Sequence, residues 1–336
     1  MRALLRSPSA TVTACLVLVA SLLVAACVPG HSEDAGRTAP PGPAPTATSP
    51  GVPFTHVFVI VMENEEATAI YGSASAPYIN QLAAQYAVAA QYYAVTHPSL
   101  PNYISLVAGS PNPLDGTDCS VGPTCHVPGA RTNVADEIEA SGRTWVAYMD
   151  AMPAPCAQAN AGTYAVRHNP FVYFDDIRNG PNDRCATHDL PFDAAQFAAQ
   201  LENDTAPDFV WITPDLCHDG HDLCGTSPVA QSDAWLARTV PPILASNAFQ
   251  RNGVLFIVWD EGTSDRSCCG LGEGGGNVAA LVISPLAKPG YRSTMPYSHY
   301  SLLRTIEDAW HLGELGNTNP AVQPGVQPMT DIFTVP

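Results

Sequence analysis

A chain of 336 residues with 46% apolar and 13% charged side chains is long enough for one large core and too apolar to be disordered. Its formal charge of −17, with 31 acidic residues against 14 basic ones and Lys288 the single lysine, argues against a nucleic-acid-binding surface. The same field repels phosphate groups, so a site handling phosphate must supply positive charge locally, from a metal ion or a few arginines.

Arg2 and Arg6 precede an apolar run from Ala14 to Ala26, too short to span a bilayer comfortably, which reads as a signal-peptide core. It ends in Val24-Ala25-Ala26-Cys27, a pattern that resembles a bacterial lipobox and implies Cys27 as a lipidated first residue. Attachment to the outer face of the cytoplasmic membrane follows from that reading; an ordinary cleavage site would release the chain instead. Loss of residues 1–26 removes two arginines and no acid, taking the charge to −19. Residues 27–52 are rich in Pro, Ala, Thr and Ser and read as a tether, leaving 53–336 as the folded domain.

Val57 to Met62 is an unbroken apolar run ending at Glu63-Asn64, as expected of a buried parallel strand whose end meets a site. Phe209 to Thr213, stopping at Pro214-Asp215, and Val254 to Trp259, stopping at Asp260-Glu261, repeat the pattern. Thr144 to Tyr148 and Ala279 to Ser284 are further strand candidates. Helix-like stretches lie between, at Ala76 to Ala90, Thr132 to Ala140, Asp193 to Glu202, Ser232 to Leu244 and Tyr300 to Trp310. The alternation predicts an α/β fold, a central mostly parallel sheet with helices on both faces, and ligands bind such sheets beyond the carboxyl ends of the strands.

The cysteines after Cys27, namely Cys119, Cys125, Cys156, Cys185, Cys217, Cys224, Cys268 and Cys269, form an even set, which in an exported chain predicts disulfides of open connectivity. Adjacent Cys268 and Cys269 are expected to find other partners, because a trans peptide strains a bridge between neighbours. Ser99, in Thr96-His97-Pro98-Ser99-Leu100-Pro101-Asn102-Tyr103, stands just before a proline-started helix. It is either a simple cap or a hydroxyl nucleophile set among free helix N–H groups that favour phosphate.

The segments HVFVIVMEN, THPSLPNY, WDEG and SHYSLLRTIED, in that order, resemble the bacterial phosphoesterase family of secreted acid phosphatases and phospholipases C, within the alkaline-phosphatase-like superfamily. The likeness runs from about Thr55 to Phe333. Tyr164, Arg167, His168, Pro170 and Asp233-Ala234-Trp235-Leu236 resemble the short mycobacterial acid phosphatases in particular. This resemblance implies Ser99 as nucleophile, and Glu63, Asn64, Asp260 and Glu261 as ligands of a divalent metal. It further implies Asp219 as a metal ligand, with one or two ions per site. His221 and His299 are implied on the leaving-group or second-metal side, with His218 not required. Arg167, His168 and Asn102 would bind the phosphate. Thr263 to Asn277, with its glycine run, has no clean counterpart and reads as a mobile loop beside the metal.

The implied activity is an exported, metal-dependent phosphomonoesterase forming a phosphoseryl intermediate, with phosphoinositides or other small phosphate monoesters as substrates, working as a monomer. A phospholipase C acting on a diester is the alternative. A non-catalytic surface lipoprotein is a third reading, against which Ser99 and both acidic pairs are present.

Overall fold

The computed structural model describes residues 51–272 and 274–334. The expected signal segment, the lipobox at Cys27 and all but the last residues of the tether lie outside the described residues. Among the described residues nine strands occur in chain order: β1 (Val57–Met62), β2 (Ala87–Tyr93), β3 (Trp145–Met149), β4 (Asp189–Pro191), β5 (Phe209–Thr213), β6 (Val254–Trp259), β7 (Asn277–Val278), β8 (Ala280–Ile283) and β9 (Arg292–Ser298). They form one sheet in the order β4-β3-β5-β1-β6-β8-β2-β7, with β9 on the other side of β2.

From β4 to β6 every pairing is parallel. Beyond β6 the sheet turns mixed, with β8 antiparallel to both β6 and β2, and β9 parallel to β2. The sheet is mostly parallel, as expected. β1, β3, β5 and β6 are buried at every position, which only strands covered on both faces can be. Each side chain so buried contributes about 1.5–3 kcal/mol of hydrophobic stabilisation for a Val, Leu, Ile or Phe. Two sets of helices supply the cover. Ser99–Ala108 packs on His299–Trp310 and Val134–Ala140, whereas Pro77–Gln85 packs on Pro228–Ala245, itself against Ala194–Glu202.

Two expectations need correction. Ala76 to Ala90 is not one helix: it is a helix over Pro77–Gln85, and then β2. Alanines at 87, 89 and 90 favour helix by only tenths of a kcal/mol per residue, and the pairing of this segment with β8 and β9 outweighs that preference. Nor do Cys268 and Cys269 find other partners. Among the described residues the bridges are Cys119–Cys125, Cys156–Cys185, Cys217–Cys224 and Cys268–Cys269, so three other bridges consume the remaining six described cysteines and leave the neighbours to each other.

Candidate active site

Parallel pairing puts the carboxyl ends of β1, β3, β5 and β6 on one edge, and the site is built there. Two backbone bonds extend the ladder past the strand ends. Glu63 N–H donates to the Asp219 carbonyl at 2.8 Å, and Asp260 N–H donates to the Met62 carbonyl at 2.8 Å. Glu63 is thereby fixed between the loop after β5 and the end of β6. Gly220 permits the close approach: its φ is 112°, and a Cβ there would lie 2.9 Å from the Glu63 carbonyl oxygen. Asn64 takes a left-handed φ of 48°, which asparagine tolerates, and its N–H reaches Asp260 Oδ1 at 3.3 Å.

Ser99 opens the helix Ser99–Ala108, with Pro98 at the cap position, and its hydroxyl caps nothing. Instead the buried Oγ faces two carboxylates, Glu63 Oε2 at 3.2 Å and Glu261 Oε1 at 3.3 Å. One hydroxyl proton can serve only one of these acceptors at a time. The hydroxyl is thus wedged between carboxylates at a helix start whose Leu100 N–H is taken by Asp118 and whose Pro101 has no N–H to offer.

Glu63, Asp219, Asp260 and Glu261 are all buried. Burial, joined by repulsion between neighbouring carboxylates, raises the proton affinity of Glu63, Asp219 and Asp260 well above that of ordinary carboxyls, and of Glu261 to a lesser degree. Asp260 Oδ2 is buried with no hydrogen-bond partner. The Asn64 amide oxygen points at the carboxylates of Glu63 and Asp260; turned over, its nitrogen would donate to Glu63 Oε2 at 3.0 Å and Asp260 Oδ1 at 3.3 Å. Amide and carboxylate oxygens converging in this way are what a hard or borderline divalent cation requires, so Glu63, Asn64 and Asp260 fit one, while Glu261 is joined to Glu63 through the Ser99 hydroxyl.

Glu63 also belongs to a second buried grouping with His168 and Asp219, whose ligand atoms lie within 4.8 Å of one another. Burial lowers the His168 pKa well below its usual value, so the ring is neutral. Its Nδ1 is 3.2 Å from Asp219 Oδ2, and its Nε2 faces Glu63 Oε1 at 3.4 Å without a good hydrogen bond. With Nδ1–H donating to Asp219, the Nε2 lone pair confronts a carboxylate, and a cation between them would relieve the conflict. This corrects the expectation for His168: it sits among the carboxylates, not on the phosphate side.

Arg167 does stand at the rim, with Nη2 3.0 Å from His221 Nε2 and Nε 3.5 Å from Asp118. Asp222 binds the other nitrogen of His221, Nδ1, at 2.7 Å. Asn102 is a correction: its amide oxygen accepts from the N–H groups of Val95 and Thr96 and its nitrogen donates to the Thr96 and Pro98 carbonyls, so it folds the loop before Ser99 and has nothing left for phosphate. His299 is another. It is fully buried, burial brings its pKa down to about 4, and its ring nitrogens bond to the Tyr92 hydroxyl at 3.0 Å and the Asp260 carbonyl at 2.6 Å. Neither nitrogen is open to a leaving group. His218 sits apart, clamped between Asp150 and Asp215.

Sequence reasoning missed three neighbours. His97 bonds Glu261 through Nδ1 and meets the Ser264 carbonyl through Nε2. Tyr103 donates its hydroxyl to Glu63 Oε1. Asp118 accepts the Leu100 N–H at 2.9 Å. His97 and Tyr103 lie inside the quoted THPSLPNY segment, at two residues before Ser99 and one helical turn after it, a spacing that could have flagged both.

The "Phosphoesterase family" profile matches residues 56–313. The chain is 33% identical to the "Phosphatidylinositol-3-phosphatase" of Mycobacterium tuberculosis over 83% of each chain. It is 28% identical to the "Probable acid phosphatase" of Kluyveromyces lactis, over 79% of this chain and 60% of that one, so it spans less than two thirds of the yeast relative. Similar solved structures include a protein in the alkaline phosphatase superfamily from Vibrio parahaemolyticus, with a TM-score of 0.51, 10% identity and coverage of 79% and 69%. Another is murine ectonucleotide pyrophosphatase/phosphodiesterase 5, with a TM-score of 0.53, 10% identity and coverage of 83% and 100%. At such identities these structures speak for the fold alone. With a profile spanning most of the chain and a phosphatase matching along most of both sequences, the protein belongs to the phosphoesterase family and is a phosphoric ester hydrolase.

Proposed function

We propose that the protein is an exported, metal-dependent phosphomonoesterase in which Ser99 Oγ is the nucleophile. The observation that carries this reading is the Ser99 hydroxyl, held at a helix start between Glu63 and Glu261 with Arg167 at the rim. A divalent ion held by Glu63, Asn64, Asp260 and Glu261 would lower the hydroxyl pKa and neutralise charge on a phosphoryl oxygen; Glu63, His168 and Asp219 would hold a second.

The protein groups have separable tasks. Ser99 Oγ attacks phosphorus, the bond from phosphorus to the leaving oxygen breaks, and the hydroxyl proton passes to one of the two carboxylates already accepting it. The helix N–H groups and Arg167 balance charge on the non-bridging oxygens. His221 is fixed by Asp222 at Nδ1 and accepts from Arg167 at Nε2; once Arg167 turns to the phosphoryl oxygens, Nε2 is free to carry a proton and deliver it to the departing alkoxide, after which water hydrolyses the phosphoseryl ester and phosphate leaves.

Arg167 at the rim together with divalent ions at the carboxylates would suit a dianionic monoester, and the Mycobacterium tuberculosis relative is named for a phosphoinositide monoester substrate. Disulfides through the domain fit an oxidising compartment, in keeping with export and with anchoring through Cys27. Among the described residues no helix is long and apolar enough to cross a membrane.

Rapid quench with a labelled phosphomonoester, with and without chelator, tests the proposal. Label should be trapped on Ser99, and Ser99→Ala should lose roughly 10⁴-fold or more in kcat with its melting temperature preserved. Label on Thr96, or turnover untouched in the alanine variant, would refute it.

A further inference from the structure

The Leu100 N–H, next to Ser99 at the start of helix Ser99–Ala108, and the guanidinium of Arg167 are donors that favour a phosphoryl group, and one carboxylate already holds both. Asp118 Oδ1 accepts the Leu100 N–H at 2.9 Å, and Asp118 Oδ2 lies 3.5 Å from Arg167 Nε. A carboxylate thus spans the two donors much as two oxygens of a phosphate would. Resting on the phosphatase reading above, we propose that Asp118 fills the phosphate seat of the resting enzyme and competes with the substrate for it.

The surroundings permit the exchange. The Asp118 side chain is 33% exposed, so it can turn outward into water without being buried elsewhere. The backbone beyond it is pinned: Cys119 is bridged to Cys125, and its carbonyl accepts the Tyr173 hydroxyl at 2.8 Å. A side-chain rotation, with no opening of the loop, is therefore enough to vacate the seat. An internal competitor of this kind lowers apparent affinity by the fraction of enzyme whose seat is empty. It also discriminates: a dianionic phosphoryl group displaces a single carboxylate more readily than the monoanion of a diester does. The same carboxylate returns behind the product and helps phosphate leave.

Asp118→Asn is the test, because the amide keeps an oxygen for the Leu100 N–H while removing the charge facing Arg167. Inorganic phosphate, titrated calorimetrically into the full-length metal-loaded protein, should bind about tenfold tighter in the variant. KM for an aryl phosphate should fall by a similar factor, and kcat should fall less. Asp118→Ala, read the same way, decides the matter should the asparagine variant fold poorly. Phosphate binding that is unchanged or weaker in the folded variant overturns the proposal and leaves Asp118 as a helix cap that orients Arg167. A wild-type protein that neither binds phosphate nor hydrolyses the ester fails at the earlier step, the phosphatase reading itself.

Discussion

His299 illustrates how a residue can matter to a site without facing the substrate. Its ring ties the Asp260 carbonyl to the Tyr92 hydroxyl inside the protein, so it positions the end of β6 and with it Asp260 and Glu261. His299→Ala would leave two buried polar groups unpaired, costing about 3 kcal/mol and displacing the ligand pair. We expect kcat/KM to fall by a similar factor for alkyl and aryl phosphates, whereas His221→Ala should slow alkyl esters far more than aryl esters, which leave without a proton. A loss confined to alkyl esters in His299→Ala would restore it to the leaving-group side. Sequence exposed the residue types of this site well, since Glu63, Asp260, Glu261 and Ser99 directly follow or open elements whose apolar pattern is plain. It did not expose what each polar atom touches. A motif places Asn102 on phosphate and His299 on the leaving group, and only the contacts of their buried atoms show a loop brace in one and a strand-end tie in the other. Asp118 carries no local signal at all, being brought to Leu100 by a disulfide loop that lies after the helix.

At the scale of elements, β1, β5 and β6 of the parallel half were legible because they are buried on both faces and so read as unbroken apolar runs, whereas the short β4, Asp189-Leu190-Pro191, was not. Nor were β2 and β9. β2 is rich in alanine, and β9 exposes Thr294, Met295 and Pro296 in a row before burying Tyr297 and Ser298, so neither offers a run to recognise. The turn after β5 was legible only as a dense polar cluster, yet its geometry is what couples Asp219 and His221 to β1. Gly220 is the element's critical position, as its left-handed backbone sits against the Glu63 carbonyl. Gly220→Ala should cost about 1–3 kcal/mol from backbone strain and contact with that carbonyl. Because the turn carries Asp219, metal content should fall along with the melting temperature. Elemental analysis showing full metal in a folded Gly220→Ala protein would detach this turn from the metal site.

The whole molecule carries its titratable groups in a manner that favours acid over alkali. Burial raises the carboxyl pKa of Asp189 to about 7, of Glu307 to about 8 and of Asp176 to about 6. Bonds to Asp150 and Asp215 raise His218 to about 9. For each of these the native state binds protons more tightly than the unfolded chain, so the stability it contributes is complete below the unfolded pKa and is lost as pH rises through the folded one. For the carboxyls that window runs from about pH 4 to 8, and for His218 from about 6.5 to 9. Asp215, lowered chiefly by its bonds to His218 and Thr163 against the cost of burial, acts in the opposite sense, but only below about pH 4. A formal charge of −17 adds self-repulsion as the last carboxyls ionise. The metal-free protein should therefore melt about 5–10 °C lower at pH 8.5 than at pH 5. Divalent ion should recover much of that loss at pH 8.5 and little at pH 5, because it binds Glu63, Asp219, Asp260 and Glu261 as carboxylates and protons compete with it for them. Calorimetric melting in chelator and then in added metal, at both pH values, measures the two effects on the same sample. A melting temperature that climbs with pH in chelator would mean that these buried carboxyls ionise in the native state at ordinary values, and that the site tolerates its charge without a cation.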